Sequence, residues 1–508
     1  RESGMQAFSF ALDPEKLKPA SVEEFAAVRG RHYARLASYA IPGRPWFHHR
    51  AGEDAGGQAR NRADNDGRFD SELSRSFAMF SGGRAIAENL ALDRELILGR
   101  RGEGGDVPLA DIEGITVRAI EWKDRLPAEP VVVDALSMAL PRDQHALFLP
   151  SVEQLFRLID LIEKEGAPVV GTFDVRNPFR DLPSRYMARL GLSEREIMAK
   201  LPIKSLAITG GDPFFPSGTD VAVLIEIEDV PERGAYIEVL ADLVARSAPG
   251  VATLKLEHAL AVSNSAVQIG RLEAVQSGVQ PSLGASEEFQ FFRHRYPLAA
   301  GGGESAFAFL SDATIRRWAS PRFRIAASRR ARAIAALGAL TARQISGGEI
   351  GDEFLALLGK VGAGGEGGLH SEKFGTLGFI TPISELEFET VTANEQAAYQ
   401  RWRRGYESGW ARVFDPIAIR LELGKGLRGL DLTVLPLTID SDYRQWLDVA
   451  GEAQLTPMAR HPHPESRLFV SFAIDSGSES FREFDAELIG MLPALKIKPL
   501  SWVGQSLT

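Results

Sequence analysis

Residues 145–166 read HALFLPSVEQLFRLIDLIEKEG, and this stretch carries the clearest fold signal in the chain. His145-Ala146-Leu147-Phe148-Leu149 is an apolar run of strand length. Ser151 follows with Gln154 three residues on, the spacing of a helix capping box. Val152, Leu155, Phe156, Ile159 and Ile162 then fall on one helical face, and Gly166 is placed to close the helix. Val169 and Val170 open the next strand candidate, so the segment reads strand, helix, strand.

The rhythm continues toward the C-terminus. Asp220–Ile227 is rich in β-branched residues, 231–245 is amphipathic, and 251–256 and 258–262 are strand-like before a helical 265–275. A long helical stretch, Ser311–Leu358, interrupts it. After the glycines of 359–368, strands are expected at 417–423, 432–439 and 468–474, with helices at 442–450 and 478–492. Upstream, 22–39 is a helix candidate and 51–70 a polar loop.

The expected fold class is therefore α+β, with two sheet-and-helix units of βαβ rhythm flanking a helical middle segment and helices on one face of each sheet. The expected divisions are a helix-and-loop region (1–130), a first α+β unit (131–298), a helical segment (299–358), a Gly-rich linker (359–374) and a second α+β unit (375–508). A length of 508 residues fits roughly two to four domains.

Composition narrows the chemistry. With no cysteine, thiol nucleophiles, disulfides, thiolate zinc sites and Cys-ligated clusters are excluded. A net charge of −10 opposes a general nucleic-acid surface. No apolar run is long enough to span a membrane. The start, Arg1-Glu2-Ser3-Gly4, has no initiator Met and reads as a processed or truncated end.

Several motifs match only by letter. Gly362-Ala363-Gly364-Gly365-Glu366-Gly367 has the spacing of a dinucleotide fingerprint, but a helical run precedes it where a strand is required. In the acidic loop around Asp64 and Asp66, Arg62 and Leu73 occupy calcium-ligand positions that need oxygen donors. His48-His49 and His461-Pro462-His463 lack the spacing of a helical zinc motif. No cofactor and no metal is expected, and no catalytic residue stands out.

Two segments are richer. Thr392 and Glu395 form a capping box, and Tyr399, Trp402, Tyr406, Trp410 and Phe414 follow at steps of three and four. Such a stripe is core or interface, and burial within this chain is expected. No acidic residue lies between Asp312 and Glu349, where Arg316, Arg317, Arg322, Arg324, Arg329, Arg330, Arg332 and Arg343 occur. This set is either a surface helix neutralised from elsewhere or a binding site for an anionic polymer, centred on Arg316–Arg330.

Phe309-Leu310-Ser311-Asp312 through Arg317, Ala261–Ser265, Ser81-Gly82-Gly83-Arg84 with Glu88-Asn89-Leu90, and Tyr399 through Phe414-Asp415-Pro416-Ile417 together resemble a family of large exported bacterial proteins without an assigned activity. The resemblance implies export to the periplasm or cell surface, and it supplies no catalytic residues. The expected role is non-enzymatic, structural or binding, in the cell envelope, with another envelope protein or an anionic polymer as partner. The alternatives are a hydrolase whose site is assembled from distant residues, and a subunit of a larger assembly.

Overall fold

The structure, a computed structural model, describes residues 27–31, 107–117, 119–166, 181–215, 218–298, 303–345, 358–363, 368–409, 417–423, 427–434, 448–449, 472–473, 475, 477–482 and 506–507. Two compact units divide the chain, 1–91 and 92–508. In the first, residues 27–31 are helical, inside the expected 22–39 helix. The rest concerns the second unit.

Its strands are β1 (Val107–Pro108), β2 (His145–Leu149), β3 (Ile203–Gly210), β4 (Val221–Ile227), β5 (Ala252–Lys255), β6 (Ala259–Ser263), β7 (Ala306–Leu310), β8 (Val361–Ala363), β9 (Leu369–Ser371), β10 (Gly375–Thr376), β11 (Phe379–Ile380), β12 (Thr390–Val391), β13 (Ile417–Leu423), β14 (Leu427–Val434), β15 (Phe472–Ala473) and β16 (Ser506–Leu507). The helices are α1 (Val152–Leu161), α2 (Leu182–Arg189), α3 (Arg195–Met198), α4 (Arg233–Ser247), α5 (Ala266–Gln276), α6 (Glu287–Arg295), α7 (Asp312–Trp318), α8 (Pro321–Ile345) and α9 (Ala393–Gly409).

One antiparallel sheet organises this unit, in the order β14–β13–β7–β2–β3–β4–β6–β5. A single row of register partners crosses it: Ile419 faces Ala308, then come Leu147, Ile208, Val223, Val262 and Thr253. Side-chain alternation along the strands feeds two cores. Val221, Val223, Ile225 and Ile227 pack with Leu155 and Ile159 of α1 and Leu240 and Val244 of α4. Ala222, Leu224, Phe307 and Phe309 pack with Leu272 of α5 and with Phe289 and Phe292 of α6. β4 is buried along its whole length. That is why its sequence lacks the polar alternation of a half-exposed strand.

The α+β class is as read from the sequence, but its arrangement differs in three respects. Helices cover both faces of the sheet. Strands expected in two units share one sheet, since β13 pairs with β7 and β7 with β2. The connection from β2 to β3 carries α1, α2 and α3, and the chain re-enters beside β2 antiparallel to it. True βαβ rhythm survives at β4–α4–β5, where two antiparallel steps through the intervening β6 leave β4 and β5 parallel.

The helical middle is broken where Ala319 closes α7 and the Ser320 hydroxyl accepts from the Phe323 amide, with Pro321 opening α8. The 359–374 segment, expected as a linker, contains β8 and β9 of the meander β8–β9–β10–β11. Gly362 lies in β8, and the next described element is a strand, so no helix N-terminus follows to hold a pyrophosphate. No helix among the described residues is long and apolar enough to cross a membrane.

Candidate functional site

The segment 210–220, GGDPFFPSGTD, joins β3 to β4 at one end of the sheet. Asp212 turns the chain, its Oδ1 accepting from the Phe214 amide at 2.9 Å. Its Oδ2 accepts from Arg330 Nη1 of α8 at 3.3 Å and from the Ile383 amide at 3.2 Å. Arg330 Nη1 also donates to the Gly218 carbonyl at 3.0 Å. Asp220 accepts from the Gly211 amide at 2.9 Å and from the Ser384 hydroxyl at 2.8 Å. Trp318 Nε1 donates to the Gly211 carbonyl at 2.8 Å. From α2, the Tyr186 hydroxyl donates to the Phe215 carbonyl at 2.9 Å and accepts from the Thr219 amide at 3.1 Å.

The backbone requires glycine here. Gly218 has φ of +120°, and a Cβ would lie 2.5 Å from the Ile380 carbonyl oxygen. The described part of this loop is thus held from α2, α7, α8 and residues 381–384.

Burial sets the protonation states. It pushes the Asp212 carboxyl up, and the Arg330 charge opposes the push. It pushes Glu385 up as well. His145, at the start of β2, lies edge-on to Phe215 and beside Trp318, with ring centroids 5.5 and 6.1 Å away. Both its ring nitrogens are buried without a hydrogen-bond partner. Burial takes its pKa down to about 4, so the ring is neutral at pH 7. Arg317 is held low by burial and by the Arg271 charge, with Asp143 3.9 Å away.

On the α2 side of the loop, the surface opens into a cleft of about 310 Å³ lined by Leu182, Arg185, Tyr186, Arg189, Phe215, Gly218, Gly378 and Phe379. Arg189 lies over the Phe379 ring at 3.7 Å. The Tyr186 ring meets Phe215 and Phe379 edge-on, at 5.9 and 6.5 Å. Burial pushes the Tyr186 hydroxyl up to about 12. Among the described residues no carboxylate lines this cleft.

The arginines chosen from the sequence are not a free cationic face. Arg316 pairs with Asp312 at 2.7 Å, and Arg330 with Asp212 in the interior. Arg329 and Arg332 share Glu395 at 2.7 and 2.9 Å. Arg322 donates to the Leu386 carbonyl, and Arg324 is buried over Trp402 at 4.1 Å. Arg317, half-buried, lies 3.9 Å from Asp143, and Arg322 is exposed, so most of the set expected to bind an anionic polymer is engaged within this chain.

The described part of the aromatic stripe packs within this chain. Tyr399 and Tyr406 are buried, and Trp402 is half-buried between them. Trp410, Phe414, His48-His49, His461–His463, the acidic loop at 64–70 and the Val169 strand lie outside the described residues. Among the described residues no three histidine or acidic side chains are grouped to hold a metal.

Sequence reading passed over His145 as a site residue and over 210–219 altogether. The signal was there in Gly210-Gly211-Asp212-Pro213 and Gly218-Thr219-Asp220, turn residues between two strand patterns. Comparison of the chain with protein-family models, with curated proteins and with solved structures returns no match.

Proposed function

We propose that this chain is a binding protein, acting in the envelope setting that its sequence resemblance implies. The observation that supports this is the contrast between the two sides of the 210–220 loop. The ionisable groups on the sheet side are buried and used to fasten the loop, as Asp212, Asp220 and Arg330 show. The α2 side presents arginines and aromatic rings in a cleft, groups suited to recognition. The test is a saturation-transfer NMR screen of small fragments of differing charge, with wild type and Phe379→Ser. Fragments whose signals are lost in Phe379→Ser support the reading. An empty screen, or fragments indifferent to the substitution, contradicts it.

One observation favours a second reading, a hydrolase. His145 is neutral, its ring nitrogens are uncommitted, and Asp212 acts on it electrostatically. Its nitrogens are closed to solvent, which places the binding reading first. Turnover of chromogenic esters or phosphoesters that His145→Gln abolishes would support the hydrolase; absence of turnover across the panel rejects it.

A further inference from the structure

We infer that the cleft between α2 and Phe379 takes a small organic anion, one flat apolar group carrying a single carboxylate or phosphate. This deepens the binding reading and rests on it. Size, charge and shape each restrict the ligand.

A volume of about 310 Å³ lies at the small end of ligand sites. It suits a one-ring molecule and excludes a polymer segment or a dinucleotide. The charged lining side chains, Arg185 and Arg189, are both cationic, so a cation is disfavoured.

Arg189 differs from the arginines that brace the fold. Arg293, Arg316, Arg329, Arg330 and Arg332 each meet a carboxylate. Arg189 has the Phe379 ring instead, and no acidic partner among the described residues. A guanidinium stacked on a ring keeps its in-plane N–H groups free for a carboxylate or phosphate. The rings of Phe215, Tyr186 and Phe379 supply the walls for an apolar body. The Tyr186 hydroxyl is already used in both directions by the loop backbone, so anion selection falls to Arg189. Because hydrogen bonds hold both flanks of the loop, little ordering is left for the ligand to impose.

The experiment is calorimetric titration of the whole chain with phenyl phosphate, benzoate, benzyl alcohol and inorganic phosphate, at low and high salt. Wild type, Arg189→Gln and, as a distant control, Arg157→Gln are compared. Phenyl phosphate or benzoate should bind, and the stronger of the two identifies the anionic group. Loss of one charge-assisted hydrogen bond should weaken that binding about tenfold in Arg189→Gln. Binding should fall at high salt and be unchanged in Arg157→Gln. Benzyl alcohol binding as tightly as the aryl anions overturns the anion assignment and leaves the cleft a binding site. Inorganic phosphate binding as tightly overturns the apolar requirement. Aryl-anion binding unchanged in Arg189→Gln, or no binding by any probe, overturns the inference.

Discussion

Arg330 Nη1 of α8 lies 3.3 Å from Asp212 Oδ2 of the β3–β4 loop, and both side chains are buried. Through this pair a helix from the middle of the chain fixes a loop at the end of the sheet. Removing one partner strands the other charge in the interior. Arg330→Ala should therefore cost about 3–5 kcal/mol, while the double change Arg330→Met with Asp212→Leu should cost much less. Urea unfolding of the three proteins checks this. A mild effect of Arg330→Ala would show that water already reaches the pair.

His145 should give the stability curve an acid limb. Its folded pKa of about 4 lies below the 6.5 of an ordinary imidazole, so the unfolded chain takes up the proton first. Stability from this group is full above pH 6.5 and falls as pH drops toward 4, by about 3 kcal/mol. His145→Gln should remove that limb. Equal slopes for wild type and variant between those pH values would contradict the assignment.

Glu288 should act in the opposite direction. Burial pushes its pKa from 4.5 up to about 8, although its Oε1 accepts from the Asp312 amide at 2.8 Å. The folded chain therefore holds a proton that the unfolded chain releases. Stability from this group is full below pH 4.5 and is lost as pH rises to about 8, by an amount on the order of 5 kcal/mol. Between pH 6.5 and 8, above the window in which His145 titrates, denaturant midpoints should fall in wild type and stay level in Glu288→Gln. A falling midpoint in the variant would assign the slope to another group.

His145–Leu149 was readable as a strand and Val221–Ile227 nearly so, because apolar runs of that length bury well in a sheet. The capping box Thr392–Glu395 forms in both directions, at 3.2 and 3.0 Å. That of Ser151 forms in one, since Gln154 Oε1 has no partner. β3 escaped notice because a register shift between Ile203 and Ser205 breaks its alternation. β7 lay hidden ahead of a helical segment, and without it the link between the expected units could not be seen. The arginines were visible, but their partners were not. Glu395 is 66 residues from Arg329, and Asp212 is 118 from Arg330.

The aromatic stripe gives a graded test of burial. Tyr399 is fully buried and its hydroxyl donates to the Ala319 carbonyl at 2.9 Å. Tyr399→Phe should cost about 1 kcal/mol and Tyr399→Ala about 3–5 kcal/mol. Trp402, half-buried, should cost less on truncation than Tyr399. Thermal or urea unfolding checks the order. A reversed order would place Trp402 in the core in solution.

The most direct measurement is backbone amide chemical-shift mapping as phenyl phosphate is titrated into the whole chain. Shifts should concentrate at 182–189, at Phe215 and Gly218, and at Gly378–Phe379, and they should be absent around α5 and α6 on the other face of the sheet. Shifts confined to α8 and α9, where Arg329 and Arg332 meet Glu395, or no shifts at saturating ligand, would contradict the account.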